Sequence, residues 1–334
     1  KAINFVKKED KAFVIKLNTN ANNVPSYTTF IPETTKGTIG FLYYINSKFP
    51  DSEILLEEKI NGIDLDVTLH IDNEKILMAT LEFEYKKERE KDRGFNIGEA
   101  GSVALLLSEN SKLYKICEPI FHYFKGRLRS PIGIGFRYDY ETGNIYFMEF
   151  CARFFGFPYE PLYNWIFHKF GGLSTYISAM VWNGNLDYLK EKIKDYVFTI
   201  VNLYTPIGTT LNNYEGINVD ELFISPVYYV SELGEKKLFD NEKYLEEGYI
   251  FHSWNSKNKA FTPDGIFITS ITGMGKSLAS AIENMYQKAK KIDYPHYLRT
   301  DIGRNLIIKD AELLLKSGWI TLNEYKKLTG LIIE

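Results

Sequence analysis

The stretch Ile271–Met285, ITGMGKSLASAIENM, decides which fold class the rest of the chain is read against. Gly-Met-Gly-Lys-Ser comes after an apolar run, Gly265–Ile271, and opens a helical pattern, as a P-loop does. A P-loop would make this a parallel α/β nucleotide-binding protein. The pattern that cradles phosphate is G-x-x-x-x-G-K-[ST]. With Gly275-Lys276-Ser277 setting the frame, the first glycine falls on position 270, and that residue is Ser270. The chain ends at residue 334, and the residues after Ser277 look helical. No further strand remains there to carry the Mg²⁺-binding Asp of such a domain. The stretch therefore predicts a tight strand-to-helix turn, with Ser277 as a cap or first-turn residue. Lys276 is expected to be dispensable for nucleotide binding.

Working upstream, short strand signals crowd the region from about Asp195: YVFTIVNLY, LFISPVYYV, GYIFHSW and GIFITSI. They predict a β-rich unit closed by a helix over Leu278–Lys291. Two short amphipathic helices come next, near Ile308–Ser317 and Thr321–Leu328. Towards the N-terminus, Lys11–Leu17 reads as a buried strand and Leu17–Gly37 as a polar, turn-rich loop. Gly40–Lys48 fits helix or strand. SEILLEEKI and DLDVTLHID are joined through Asn61-Gly62, a hairpin signal between extended runs. Asp72-Asn73 predicts another turn before KILMATLEFEY. KKEREKDRGFNIGEAG reads as a solvated charged loop or helix end that becomes glycine-dotted. Ser111–Tyr123 is helical in pattern. PIGIGFRYDYETGNIYFMEFCARF predicts a second hairpin, turning at Glu141–Asn144. Leu162–Met180 and Leu186–Ile193 are helical.

Composition narrows the function classes. A chain of 334 residues that is 45% hydrophobic and 25% charged has material for two or three cores. A net charge of −3 offers no general attraction to nucleic acid or an anionic membrane. No apolar run approaches the ~20 residues of a membrane span, and no stretch has the make-up of a signal peptide. Two cysteines, Cys117 and Cys151, exclude a disulfide framework and a cysteine zinc cluster, and suit a reducing cytoplasm.

Several motifs, in order along the chain, resemble those of the phosphoribosylamine–glycine ligase family. GIFITSITGMGKSLASAIENMYQKAKKIDYPHYLRTDIG is similar to the family's C-terminal end, and Arg299, Asp301, Ile302 and Gly303 match its Arg-x-Asp-Ile-Gly ending. GYIFHSW puts His252 at the family histidine. Phe13–Lys16, FVIK, resembles a family strand that ends in lysine. LLEEKINGIDLDVTLHID aligns Glu57, Glu58, Gly62, Asp64 and Asp66. RGFNIGEAG aligns Gly94, Asn96, Gly98 and Gly101. Phe124–Gly126 aligns with a family Phe-Thr-Gly. YFMEFCARFFGFPYEP aligns Glu149, Phe150, Arg153, Phe154, Gly156, Pro158 and Glu160.

The resemblance implies an α+β chain with the ATP-grasp fold. Its domains would be an ATP-grasp domain over 1–194, a β-rich C-terminal domain over 195–304 and a helical tail over 305–334. The first would divide into a small subdomain over about 10–60 and a larger one over 61–194, holding ATP between them. The implied reaction activates a small, glycine-like carboxylate as an acyl phosphate. An amine then attacks, leaving amide, ADP and phosphate. The implied cofactors are ATP and Mg²⁺, and the implied partners are small molecules, for a cytoplasmic monomer or homodimer. The chain starts at the ATP-grasp portion, so the family's N-terminal domain is expected on residues beyond it or on another chain.

Acyl phosphate formation needs cations on the phosphates and groups that orient the carboxylate in line. Lys16 is the candidate cation; otherwise it is a strand-end lysine reaching solvent. Glu57, Glu58, Lys59 and Ile60 would form the linker whose backbone meets the adenine edge. Asp64 or Asp66 would accept from the ribose hydroxyls; the alternative is an acidic strand facing water. Glu149 is one carboxylate in a strongly apolar run, Ile145–Phe150. If buried, it must be paired, protonated or metal-bound, and Mg²⁺ ligation fits; simple exposure on a strand is the alternative. Cys151 takes the neighbouring metal-ligand position. Arg153 and Asn96 are the candidate catalytic residues, Arg153 for bidentate contact with phosphate or carboxylate. Gly94, Gly98 and Gly101, as a loop presenting N–H groups to an anion, and Arg299 are the candidate substrate-binding residues.

The chain also departs from the family pattern. LNTNANNVPSYTTF lacks the glycine-rich loop that covers the phosphates. Cys151 replaces an asparagine, and thiolate is a poor match for hard Mg²⁺. Arg137 stands near where another acidic ligand is common; Asp139 or Glu141 would have to substitute. Three classes therefore compete: an active ATP-dependent carboxylate–amine ligase, a degenerate ATP-grasp protein that binds nucleotide or a partner without turnover, and an interaction protein that kept only the fold.

Overall fold

The computed structural model describes residues 1–17, 29–50, 52–151, 159–182, 184–205, 227–239, 245–251, 253–255, 260–262, 267–304 and 306–331. For residues 94–99, 159–161, 253–255 and 306 it describes the backbone alone. The chain divides into two compact units, Lys1–Gly62 with Asp139–Thr142, and Ile63–Tyr138 with Gly143–Glu334.

In the first unit, α1 (Ala2–Glu9) precedes β1 (Phe13–Leu17), which alternates buried and half-buried residues along FVIKL. β1 lies between β2 (Thr29–Phe30) and β3 (Ile54–Glu58) in an antiparallel sheet. Gly40–Lys48 is helical, as part of α2 (Thr35–Lys48), whose N-cap Thr34 accepts from Gly37 N at 3.0 Å. Val6, Phe13, Ile15, Leu17, Phe30, Leu42 and Ile45 form the core of this unit. Asn61-Gly62 is not a hairpin turn. β3 pairs with β1, whereas β4 (Gly62–Ile71) enters a different sheet. Local turn chemistry lost here to long-range pairing: Asn61 O accepts from Tyr140 N at 3.0 Å.

In the second unit, the large sheet contains β4, β5 (Ile76–Arg89), β6 (Arg93–Leu106), β7 (Ser130–Asp139) and β8 (Ile145–Cys151). It also contains β9 (Val197–Tyr204), β10 (Tyr249–Ile250) and β11 (Phe267–Gly275), and its strand order is β10-β11-β9-β6-β5-β4-β7-β8. The two hairpins β4–β5 and β7–β8 form as their turns predict. Asp72 Oδ1 accepts from the N–H groups of Glu74 and Lys75, each at 2.9 Å, and Gly143 has φ +69°. The charged run predicted as a loop is instead the end of β5, a 3₁₀ turn over Glu90–Asp92 and the start of β6. Gly94–Gly101 likewise lies in strand β6. Gly101 has no room for a side chain, since a Cβ there would stand 2.5 Å from Ile200 O. β9, which opens the predicted β-rich domain, pairs with both β6 and β11 inside this sheet.

Period-two alternation splits the sheet into two faces. Leu65, Val67 and Leu69 of β4, Leu81 and Phe83 of β5, and Ile132, Ile134 and Phe136 of β7 share one core. That core includes Leu113, Cys117 and Phe121 of α3 (Lys112–Phe124). On the opposite face, α4 (Tyr159–Phe170), α5 (Leu173–Val181) and α6 (Asp187–Ile193) cover Met78, Ala104, Phe198 and Ile200. Leu278, Ile282 and Met285 of α7 (Leu278–Ala289) join the first core. The tail forms α8 (Leu306–Lys316) and α9 (Leu322–Thr329). No helix among the described residues is long and apolar enough to cross a membrane.

Ile271–Met285 is the predicted strand-to-helix corner. β11 is antiparallel to β9 and β10, which is incompatible with a P-loop sheet. Ser277 is the N-cap of α7 and forms a capping box with Ser280. Ser270 is buried and donates to Asn202 Oδ1 at 2.6 Å, while Lys276 is exposed. The glycines serve close packing: a Cβ on Gly273 would lie 2.2 Å from Ala281 O.

Candidate functional site

On the second face of the sheet, next to the helix-covered part, the strands carry charge. β4 contributes Asp64 and Asp66, β5 contributes Glu82, Glu84 and Lys86, β7 contributes Arg137, and β8 contributes Glu149 and Cys151. Asp66 and Glu82 are direct cross-strand partners. They are 6% and 0% exposed. Asp66 is therefore not on a water-facing strand.

Like carboxylates held opposite each other in a dry site cannot both ionise freely. Burial, then the charges of Glu84 and Glu149, push Asp66 up to about 7 against the pull of Lys86. Burial, then Asp66, push Glu82 up to about 8. Thr80 Oγ1 donates to Glu82 Oε1 at 2.5 Å, and Tyr163 Oη of α4 donates to the same oxygen. Asp66 Oδ1 and Glu82 Oε2 have no hydrogen-bond partner among the described residues.

Two glycines keep β7 low between these walls. A Cβ on Gly133 would stand 3.1 Å from Cys151 Cβ and 3.3 Å from Asp66 Oδ1. A Cβ on Gly135, the partner of Glu149, would stand 3.2 Å from Glu149 Cγ. The result is a trough over β7 with Asp66 on one side and Glu149 and Cys151 on the other. Glu149 is exposed on β8, and Phe147 and Phe150 beside it are 50% and 47% exposed. Of the two readings of Glu149, exposure on a strand is the one seen: β8 is the terminal strand of the sheet, so its apolar neighbours do not enclose the carboxylate.

The cations on this face are engaged. Lys86 Nζ pairs with Glu84 Oε2 at 2.7 Å, and Arg137 donates to Asp64 Oδ1 at 2.7 Å. Burial lowers the Lys86 pKa, but Glu84, Asp64 and Glu149 outweigh it and the net shift is upward. Among the described residues no three or more His, Cys, Asp or Glu side chains are grouped to hold a metal ion. Glu149 is one carboxylate, Cys151 a soft donor, and Arg137 a cation where an acid was sought. This donor set does not fit Mg²⁺.

The other candidates fall as follows. Lys16, on β1, pairs with Glu57 Oε2 on β3 at 2.7 Å. Glu58 pairs with Lys11 at 2.6 Å, and Lys59, just beyond β3, pairs with Glu33. Ile60 lies in the same connection to β4. The small unit thus gathers Lys16, Glu57, Glu58, Lys59 and Ile60 at one strand pair and its exit. The Asp139 carboxylate is spent within its own turn, accepting from Glu141 N at 2.9 Å and Thr142 Oγ1 at 2.8 Å. Gly94, Asn96 and Gly98 lie in β6, with only their backbone described. Arg153 and His252 lie outside the described residues.

Arg299 is fully buried. It binds both oxygens of Asp301 at 2.6 and 3.0 Å, Asp92 at 2.8 Å and Lys87 O at 3.1 Å, over the ring of Tyr85. It ties the β5–β6 turn to the 299–301 segment. Sequence reasoning gave no role to Glu82, Glu84 and Lys86. Their signal was charge recurring every second residue in the otherwise apolar KILMATLEFEYKK.

No protein-family model matches the chain. In sequence it is similar to a phosphoribosylamine–glycine ligase of Fusobacterium nucleatum, 26% identical over 257 residues, covering 75% of this chain and 56% of that protein. The chain thus spans about half the length of this curated relative. In structure it is similar to a phosphoribosylamine–glycine ligase from Thermotoga maritima, with TM-score 0.58 and 16% identity, covering 90% of this chain and 72% of that one. It is also similar to Rhizobium etli pyruvate carboxylase, with TM-score 0.51 and 10% identity, covering 90% of this chain and 25% of that one.

Proposed function

From an ATP-grasp fold and a sequence similar to phosphoribosylamine–glycine ligase, we propose that the chain is an ATP-dependent ligase module. It would join a small, glycine-like carboxylate to an amine through an acyl phosphate, as a small-molecule enzyme of the cytoplasm. The amine is phosphoribosylamine, as in purine biosynthesis, or a different one. The observation that carries this reading is the match over 257 residues, three-quarters of the chain.

Each unit supplies part of the chemistry. In the small unit, Lys16 is the cation for ATP phosphates, and the backbone over Glu57, Glu58, Lys59 and Ile60 meets the base. In the large unit, Asp64 is the half-exposed acceptor for ribose hydroxyls. Asp66 is too enclosed for that role and instead shapes the trough with Gly133. Lys86 and Arg137 provide fixed positive charge on a face that is otherwise acidic. Asn96, Arg153, Gly94, Gly98, Gly101 and Arg299 remain proposed for catalysis and substrate, with Arg299 acting through the segment it tethers. No step is routed through Mg²⁺, because the described donors do not fit it.

Amine-dependent release of ADP from ATP, measured with glycine and a panel of amines, tests the reading. Turnover that requires both carboxylate and amine is the expected result. ATP binding seen as a thermal shift, with no ADP released under any pairing, would favour the second reading, a nucleotide-binding protein without turnover. The Arg137–Asp64 pair and Cys151 are the observations that favour it.

A further inference from the structure

We propose that Lys86 is the resident cation of the charged sheet face: its ammonium, paired with Glu84 on a face that also carries Asp64 and Glu149, takes the place of a divalent metal ion and keeps one from binding. Lys86 Nζ lies 2.7 Å from Glu84 Oε2, and the Glu84 side chain is only 14% exposed. Asp64 is held by Arg137 at 2.7 Å on the same face. Two fixed cations thus stand among the carboxylates from which a hard divalent ion would draw its ligands.

Both cations are covalent parts of strands inside the sheet. They cannot diffuse away as a competing metal approaches. A divalent ion drawing on Glu84 would meet the ammonium of Lys86 beside a side chain only 14% exposed, where like charges repel more strongly than in water. Cys151 on β8 offers such an ion only a soft thiol. The carboxylates gain nothing by exchanging a lysine already in place for an ion that must shed its water.

The claim concerns the metal alone and stands apart from the ligase reading, so the two fail separately. The probe is Mn²⁺ in the absence of nucleotide, followed by electron paramagnetic resonance and titration calorimetry with the full chain. The wild type is expected to show no saturable Mn²⁺ site into the millimolar range. Lys86→Met is expected to gain one site, tighter by at least about tenfold, and Lys86→Arg, which keeps the charge, is expected to stay silent. The gained site should vanish when Glu149→Gln is added. Lys86→Gln replaces Lys86→Met should the latter not give the native circular dichroism. A wild-type Mn²⁺ site abolished by Glu149→Gln or Glu84→Gln would overturn the proposal. So would folded Lys86 variants lacking charge that gain no site.

Discussion

Two carboxyl groups sealed opposite each other on neighbouring strands must hold a proton or an ion to stay buried. For Glu82 the ordinary value is 4.5 and the folded value about 8, raised by burial and then by Asp66. Between those pH values the unfolded chain has lost a proton that the folded chain keeps. The stability this group contributes is therefore greatest below about 4.5 and falls as pH rises towards 8; Asp66 adds the same sign between 3.8 and about 7. Glu82→Gln keeps an oxygen for Thr80 and Tyr163 and removes the titration. It should flatten the slope and raise stability at pH 8 by on the order of one to a few kcal/mol. Urea unfolding of both proteins from pH 5 to 9 checks this, and parallel slopes would refute it. Arg299 is the opposite case, a buried cation satisfied by Asp301, Asp92 and Lys87 O. Arg299→Met should cost about 1–3 kcal/mol by removing the donor shared by Asp301, Asp92 and Lys87 O, with part of the loss made up by water at the exposed Asp92, seen as a lowered melting temperature.

At the scale of elements, the corner between β11 and α7 is specified by space. Gly273→Ala would push a Cβ into Ala281 O and Met285 and should destabilise by about 1–3 kcal/mol. Lys276→Ala, on the exposed turn, should change neither the melting temperature nor ATP affinity. A folded Lys276→Ala protein with lost ATP affinity would restore the nucleotide-loop reading of this corner. The hairpin turns at Asp72-Asn73 and Glu141–Asn144 were legible because their residues satisfy the turn locally. Asn61-Gly62 was misleading because β3 finds β1 as its partner, outside the reach of a local signal. The charged run at Lys86–Arg93 was misleading for a related reason. Its turn is held by residues distant in sequence, Asp92 by Arg299 and Lys91 N by Asp301, so strand runs up to it on both sides.

At the scale of the molecule, the two units are built with unequal cores. The small one rests on Val6, Ile15, Leu42 and a few neighbours, while the large sheet is packed on both faces. Amide hydrogen exchange should accordingly be faster in β1 and β3 than in β5, β6 and β9, which sit mid-sheet. Equal protection throughout would show one cooperative unit instead. The central strands depend on packing, and Leu81→Ala, at a fully buried position of β5, should cost about 2–5 kcal/mol in urea unfolding.

The sequence alone carried most of the strands, the turns at Asp72-Asn73 and Glu141–Asn144, the cap at Ser277 and the likeness to an ATP-grasp ligase, because each depends on residues near one another or on motif order. Lys16 meets Glu57 because β1 pairs with β3, a partner that the Asn61-Gly62 signal had assigned to β4 instead. Only the tertiary structure decided which charges meet. Register sets Asp66 against Glu82, and sheet order brings Arg137 to Asp64. The same order leaves Glu149 exposed on the terminal strand rather than enclosed by its apolar neighbours. Those outcomes depend on pairing between strands far apart in the chain, and the ionisation and metal preference of the charged face result from them.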